Sequence, residues 1–303
     1  MQSRASLSTP RITPWLFASP ALLLLGLFLI APFVLALVLS FTDQRLVTSD
    51  QLPTEFVGLR NYERLWEDES FWAALQNNLW FAAWVVPLQC ALALGLAVLV
   101  NQKLTLSRVF RSIYFMPVAV TMSVVAVIWS LLYAPDAGLI NRFLQLISAG
   151  AFQPVDWLRD PQWVLPAILL LSIWQGVGFQ MLIFLAGLQS INPDLYEAAN
   201  LDNASAWQQF LYITLPLLKG SIVFVLITTT IYAFQLYTQV QVISSSGTSA
   251  PIDSMRTIVM LMVHEGFKSG KIGYASAISV VFFLIVLTVS MLQRFVLKDK
   301  AAA

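Results

Sequence analysis

Charged residues are scarce in this chain of 303 residues. Asp, Glu, Lys and Arg make up 11% of it, against roughly 25% in an ordinary soluble domain. Cys90 is the only cysteine, which excludes an intrachain disulfide. The formal net charge is +1, which argues against the basic surface of a nucleic-acid-binding protein. Hydrophobic residues, by contrast, make up 58% of the chain, and this excess points to a membrane protein.

Six stretches contain no Asp, Glu, Lys or Arg, and each is at least 22 residues long: 12–42, 70–102, 112–135, 161–193, 220–252 and 272–293. About 20 helical residues cross a hydrocarbon core of about 30 Å. Backbone polar groups must be paired in lipid, and the alternating segments of about ten residues that build a barrel are absent, so the runs are predicted to be helices. We therefore predict an all-α membrane protein, a single domain over 1–303 with six transmembrane helices, near 15–41, 73–101, 112–133, 162–189, 219–243 and 272–297. The first run exceeds a signal-peptide core of about 15 residues and lacks a cleavage site, so we expect a retained span.

The distribution of basic residues predicts the orientation. The 103–111 loop and the two tails, which carry Arg4, Arg11, Lys298 and Lys300, are nearly free of acids, whereas the 43–69 loop holds seven. The positive-inside rule then places both termini, and the 190–218 loop, in the cytoplasm. Lys268 and Lys271, in an outer loop, count against this orientation.

Motifs for chemistry are also missing. The segment Gly266–Ile272 reads GFKSGKI, which lacks the spacing of a phosphate-binding loop, and the chain has no HExxH motif and no cysteine cluster. No Asp, Glu, Lys, Arg or His lies within the six charge-free runs, and Lys219 and Arg294 lie only near the ends of the predicted spans. A membrane-embedded enzyme or an ion-coupled carrier usually keeps such a group there, so both classes are disfavoured. We expect a non-catalytic transport chain, without catalytic or metal-binding residues, that takes its energy from another subunit; a stand-alone secondary carrier is the weaker alternative.

Neutral polar residues do occur within the spans. In the fifth span, Tyr232, Gln235 and Gln239 share one helical face. Other candidates lie beside them, in the fourth span or in the sixth: Tyr237, Thr238, Gln241, Trp174, Gln175, Gln180 and Ser276. Amides that donate and accept, together with aromatic rings, suit an uncharged polyhydroxy solute. The alternative is that these side chains form helix–helix hydrogen bonds worth about 0.6 kcal/mol each.

The polar stretch 192–218 is predicted to form two short helices. Asn192 can cap the first helix, with Pro193 at its first position, and this helix should break near Asp202 and Asn203. The second helix should run from Ala204 to Thr214.

Part of this stretch, YEAANLDNASAWQQFLYITLPLL at 196–218, resembles the EAA loop of binding-protein-dependent ABC importer permeases. The matching positions are Glu197, Ala198 and Ala199, then Asp202, Asn203 and Ala204, then Ile213, Leu215 and Pro216. Gly58, Leu59, Asn61 and Tyr62, the segment RSIYFMP at 111–117 and GYASA at 273–277 extend the resemblance to the maltose-type carbohydrate permeases. Asn203 replaces the family's glycine; asparagine is the commonest substitute at positive φ, so we expect the turn to persist. The family's Gly-Gly-Pro after the fifth span is degenerate here, at Ser244–Gly247.

This resemblance implies the type I ABC importer permease architecture in a bacterial inner membrane, and the ATP-driven uptake of a carbohydrate or glycosylated polyol. The implied partners are a second homologous permease, two ATP-binding subunits, an extracytoplasmic solute-binding protein and a small carbohydrate; nucleic acid is not among them. No cofactor is expected on this chain, since ATP and Mg would bind the partner ATPase. The residues implied to contact that ATPase are Tyr196, Glu197, Ala198, Ala199, Asp202, Asn203 and Ala204. A glycerol-phosphate permease is the alternative within the family, and the lack of Arg or Lys within the spans makes it the less expected one.

Overall fold

The computed structural model describes residues 13–47, 54–102, 107–245 and 252–297. Within these ranges the regular secondary structure is helical, apart from one isolated bridge between Thr42 and Phe56. The helices are α1 Thr13–Leu25, α2 Ala31–Leu39, α3 Arg60–Glu67, α4 Glu69–Asn101, α5 Ser107–Phe115, α6 Met122–Leu132, α7 Leu139–Ile147, α8 Val164–Gln189, α9 Asp194–Leu201, α10 Ala206–Gln209, α11 Leu215–Leu217, α12 Lys219–Phe234, α13 Thr238–Ser245, α14 Ile252–Met255, α15 Ile258–Val263 and α16 Ile272–Leu297. The predicted all-α class is confirmed for the described residues.

Five helical segments are long and apolar enough to cross a membrane: Trp15–Leu39, Glu69–Asn101, Val164–Gln189, Lys219–Ser245 and Ile272–Leu297. The sixth predicted span is a broken pair, Ser107–Ala119 and Met122–Leu132, bent by 98°. Pro117 accounts for the break, because proline removes one backbone hydrogen bond and its ring clashes with the preceding turn. The chain passes through a 3₁₀ turn at Met116–Ala119 and becomes extended at Val120 and Thr121. Counting the pair as one span gives the six that the sequence predicts.

The chain divides into two compact units, each described separately. The first comprises the residues up to Glu67 together with Met262–Val281. In it, the buried Asn61 donates from Nδ2 to the carbonyl oxygens of Ser40 and Thr42, both at 2.8 Å. The Tyr62 hydroxyl lies 2.6 Å from that of Ser40. Asn61 thus caps the carbonyl end of α2 and Tyr62 bonds to the buried Ser40 that follows it, so two residues of the family resemblance have a structural role here.

The second unit comprises Asp68–Leu261 and the residues from Phe282 onward. Its core is the α4–α8 pair, against which α12 packs. Small side chains allow the close approach: Ala74, Ala93 and Ala97 on α4 are fully buried. Gly178 on α8 has a related role, because an added Cβ would collide with the backbone oxygen of Tyr114. The N-terminal half of the broken span therefore packs directly against α8.

Pro87 and the π-helical turns Gly26–Ile30 and Phe210–Thr214 interrupt regular hydrogen bonding without ending their spans or segments. Seven residues that the sequence predictions used lie outside the described residues: Arg4, Arg11, Lys103, Ser246, Gly247, Lys298 and Lys300. The predicted single domain and the cytoplasmic side of 190–218 stay predictions.

Candidate functional site

The fifth predicted span is not one continuous helix. It consists of α12 and α13, separated at Gln235–Tyr237, where the chain leaves the helical conformation. The prediction of a continuous helix was wrong at this point, although no proline or glycine marks it. Side chains from both half-helices line one cavity together with side chains of α8 and α4.

A cavity of about 470 Å³ opens at this break. Its walls come from α4, α8, α12, α13 and the bend between α5 and α6. The polar lining residues are Gln89, Ser172, Gln175, Gln180, Thr229, Tyr232, Gln235, Thr238 and Gln239. The remaining lining residues are Phe81, Val85, Val118, Met122, Gly176, Phe179, Ala233 and Leu236. Among the described residues, no charged side chain lines this cavity.

Two glutamines of the cavity are buried and partly hydrogen-bonded. Gln180 donates from Nε2 to the Thr229 hydroxyl at 2.6 Å, and Thr229 donates in turn to the Val225 carbonyl. Gln239 donates from Nε2 to the Ser172 hydroxyl at 3.2 Å. The second polar atom of Gln180, Oε1, is buried and has no hydrogen-bond partner within the described structure. Because an unmade hydrogen bond in a buried site costs about 1–3 kcal/mol, this oxygen is suited to accept from a ligand.

The other three amides of the cavity have no hydrogen-bond partner among the residues that the structure describes. Within the described residues, the side chains of Gln89, Gln175 and Gln235 make no hydrogen bond, although Gln89 is only 6% exposed. Phe81, Phe179 and Tyr232 add aromatic rings to the same walls. The cavity thus combines unpaired amides with apolar faces.

The structure brings together six of the predicted solute-path residues: Gln175, Gln180, Tyr232, Gln235, Thr238 and Gln239. Four others do not line the cavity. Trp174 packs against Trp129, with ring centroids 5.7 Å apart, and the Gln241 amide donates to the Ser245 hydroxyl. Tyr237 lies half-buried in the break, and Ser276 is buried in the first unit.

Sequence reasoning missed Gln89, Ser172 and Thr229. Gln89 carries a visible signal, since it is a polar residue in the middle of an apolar run, eight positions after Phe81 and so on the same face of α4. Ser172 and Thr229 carry no comparable signal, because a hydroxyl within a span usually bonds to the carbonyl four residues earlier, as both do here.

A second candidate region is the segment between α8 and α12. Asn192 accepts from the Asp194 backbone through Oδ1 at 3.1 Å, and α9 begins at Asp194, one residue after the predicted start. Helix α9 ends in a Schellman motif: Asn203 donates to the Asn200 carbonyl and Ala204 to the Ala199 carbonyl. Asn203 adopts a φ of 56°, so the predicted turn without glycine is confirmed.

The second predicted helix, Ala204–Thr214, begins two residues later, at Ala206, and continues through a π-helical turn to Leu217. Ser205 and Gln208 form a capping box that starts α10, which passes into the π-helical turn Phe210–Thr214 and then α11. Two side-chain hydrogen bonds hold α10 and the π-helical turn Phe210–Thr214 against α9. The Tyr196 hydroxyl lies 2.8 Å from that of Thr214, and Gln209 donates to the Asn200 side chain at 2.7 Å.

The segment from α9 to α11 has an exposed face that carries both apolar and polar side chains. Leu201 is 84% exposed and Trp207 is 66% exposed, with Trp207 stacked on Phe210. Glu197 and Ala198 are exposed as well, and Glu197 forms no ion pair with any described residue. Exposed leucine and tryptophan side chains on an ordered polar segment are typical of a surface that another protein covers.

Comparisons with known proteins agree with this arrangement. Residues 89–300 match the family described as "binding-protein-dependent transport system inner membrane component". The chain is 33% identical over 291 residues to the lactose transport system permease protein of Rhizobium radiobacter, covering 95% of each chain. It is 36% identical over 233 residues, 77% of each chain, to the trehalose/maltose transport system permease protein of Thermococcus litoralis.

A solved structure supports the fold independently. A chain of a bacterial ABC transporter involved in the import of the acidic polysaccharide alginate superposes with a TM-score of 0.80, covering 95% of this chain and 96% of that chain. The sequence identity is 21%, so this likeness shows the fold alone. The predicted fold class, an ABC importer permease with six spans, is confirmed.

Proposed function

This chain belongs to the family of binding-protein-dependent transport system inner membrane components, and from that premise we propose that it imports an uncharged saccharide through the cavity at the α12–α13 break. The observation that carries the proposal is the lining of that cavity: five glutamine amides and four hydroxyl-bearing side chains beside aromatic rings, with no charged group among the described residues. Amides donate and accept hydrogen bonds, as sugar hydroxyls do, and the aromatic faces match the apolar C–H faces of sugar rings.

The size of the cavity supports the same solute class. Its volume of about 470 Å³ falls within the range of roughly 300–1,000 Å³ usual for small-molecule sites. The names of the lactose and trehalose/maltose permeases give independent support, since both describe systems for disaccharides. A phosphorylated polyol, the alternative within the family, would need a positive charge from outside this chain, because no arginine or lysine lines the described cavity.

A second permease subunit is proposed to close the cavity. Tyr232 is 66% exposed and Gln235 is exposed, so one side of the lining faces away from this chain. Lipid cannot satisfy an amide, and an unpaired amide in an apolar medium costs about 2–7 kcal/mol. A homologous permease with its own polar lining would cover this side and share the solute.

We propose that the α9–α10 segment couples ATP hydrolysis by the partner subunits to movement of the spans. The exposed face with Glu197, Ala198, Leu201 and Trp207 would seat on one of two ATP-binding subunits in the cytoplasm, where both termini of the chain would also lie. ATP and Mg would bind those subunits. Closure of the ATPases would push the segment and rock the spans between inward- and outward-facing states, while a solute-binding protein delivers the saccharide outside.

Uptake by the whole transporter tests the role of the cavity. The probes are radiolabelled lactose, maltose and trehalose, each with its cognate binding protein in excess. For the sugar that accumulates, Gln235→Leu and Gln239→Leu should each lower uptake about tenfold, because each removes hydrogen bonds worth about 1 kcal/mol and puts an alkyl group in their place.

Gln241→Leu is the matched control. It makes the same change two residues after Gln239 and six after Gln235, but Gln241 does not line the cavity, so uptake should stay within about twofold. Unchanged uptake in both Gln235→Leu and Gln239→Leu would assign these glutamines to helix packing. Accumulation of phosphorylated or sulfonated solutes alone would contradict the proposed solute class.

A further inference from the structure

Asn78 on α4 is fully buried, and its side-chain amide joins two helix ends in the second unit. Its Nδ2 donates to the carbonyl oxygen of Phe234, the last residue of α12, at 3.2 Å. Its Oδ1 accepts from the backbone nitrogen of Ile258, the first residue of α15, at 2.9 Å. One side chain therefore satisfies an acceptor at one helix end and a donor at another.

Both backbone groups need such a partner. The last carbonyls and the first N–H groups of a helix have no partner within the helix, and leaving one buried and unpaired is costly. A neutral amide supplies a donor and an acceptor at the same time, whereas a carboxylate offers acceptors only. Aspartate at position 78 could still accept from Ile258, but it would face the Phe234 carbonyl with a second acceptor.

The segment before α15 does not depend on Asn78 alone. The neighbouring Asn77 donates to the carbonyl oxygens of Asp253 and Arg256, both at 3.0 Å. Arg256 donates from Nη1 to the Ser70 hydroxyl at 2.9 Å and pairs with Asp253 at 2.8 Å. Because these contacts already fasten this segment to α4, the distinct contribution of Asn78 is its bond to Phe234, where the α12–α13 break begins.

That break shapes the cavity. It contains Gln235 and Leu236, and α13 follows with Thr238 and Gln239, all four of which line the cavity. Leu236 is 2% exposed, so its position depends on the path of the backbone through the break. We infer that Asn78 is a positioning residue of the transport path, which fixes the end of α12 and thereby the placement of Gln235, Thr238 and Gln239. This inference rests on the proposed function of the cavity.

Thiol accessibility in the purified transporter complex tests the inference without any solute. In a Cys90→Ala background, Leu236→Cys reports on the break, and Gln180→Cys, a buried residue of α8 in the same cavity, serves as the reference. The rate of modification by a water-soluble maleimide is measured for each thiol. Adding Asn78→Asp should raise the rate at Leu236→Cys about tenfold, which corresponds to the loss of a buried hydrogen bond. The rate at Gln180→Cys should stay within about twofold, since α8 keeps its own packing.

Asn77→Asp is the matched control, because it changes the adjacent residue in the same way but leaves Phe234 bonded; it should accelerate neither thiol. Asn78→Ser, which introduces no buried charge, serves if the aspartate variant fails to assemble, and it should accelerate Leu236→Cys alone. An unchanged rate at Leu236→Cys in the assembled Asn78 variants would overturn the inference. Equal acceleration of both thiols, or the same effect from Asn77→Asp, would overturn it too. Since no solute is present, these outcomes are independent of the uptake assays that test the proposed function.

Discussion

Glu197→Lys is expected to abolish ATP-driven uptake and the copurification of the ATP-binding subunits, while the chain remains inserted in the membrane. Glu197 is exposed on α9 and forms no ion pair with any described residue, so the substitution breaks no contact that the structure shows within the chain. Its effect on α9 itself is small, because an acidic residue in the first turn of a helix is worth about 0.3–1 kcal/mol. A large loss must therefore come from the docked partner.

The expected loss of ATPase association is about hundredfold, since placing the wrong charge in an interface costs several kcal/mol. The measurements are the yield of ATP-binding subunits that copurify with the permease pair and the initial rate of uptake. Glu63→Lys on α3 is the control, because it makes the same charge change on another short, exposed helix. Normal uptake by Glu197→Lys would show that the α9–α10 face does not dock on an ATPase.

Gly176→Leu is expected to block uptake while the transporter still assembles. Gly176 lines the cavity from α8, and a Cβ added there would collide with the Gln89 side-chain amide. Gln89 can move aside, but the leucine then occupies the space in which the solute is proposed to lie. Overpacking costs about 1–3 kcal/mol, so uptake should fall about tenfold to hundredfold if the solute must share this space.

The control for this change is Gly95→Leu on α4. A Cβ at Gly95 would meet nothing within 4 Å, and Gly95 does not line the cavity. Uptake should stay within about twofold in this variant. Both variants are checked for copurification with the ATP-binding subunits. Full uptake by Gly176→Leu would show that the solute takes another route.

The architecture could be predicted from the sequence because it follows from composition. Charge-free runs of at least 22 residues are read directly as spans, and Asn203 could be assigned to a positive-φ turn because few residues other than glycine tolerate that conformation. The bend of the third span has a visible cause in Pro117. The angle of the bend, 98°, could not be predicted, since it depends on how α5 packs against α8 at Gly178.

The candidate cavity could be predicted only in part. Helical spacing identified Gln235 and Gln239, but the break between α12 and α13 is stabilised by Asn78, more than 150 positions earlier in the chain. The residues around the break do not indicate a contact with so distant a part of the chain. Thr229 and Ser172, which the sequence did not predict, line the cavity and bond to Gln180 and Gln239. Trp174, which it did predict, packs on Trp129 instead. Periodicity therefore predicts part of the cavity lining, whereas the part that depends on packing between distant helices could not be predicted from the sequence.

The central proposal is that this chain conducts an uncharged saccharide and takes its energy from separate ATP-binding subunits. The most direct measurement is saccharide accumulation in vesicles that contain the permease pair and the binding protein, with and without the ATP-binding subunits and ATP. The account predicts accumulation only when both the ATP-binding subunits and ATP are present. Accumulation of the saccharide by the permease chains alone would contradict it.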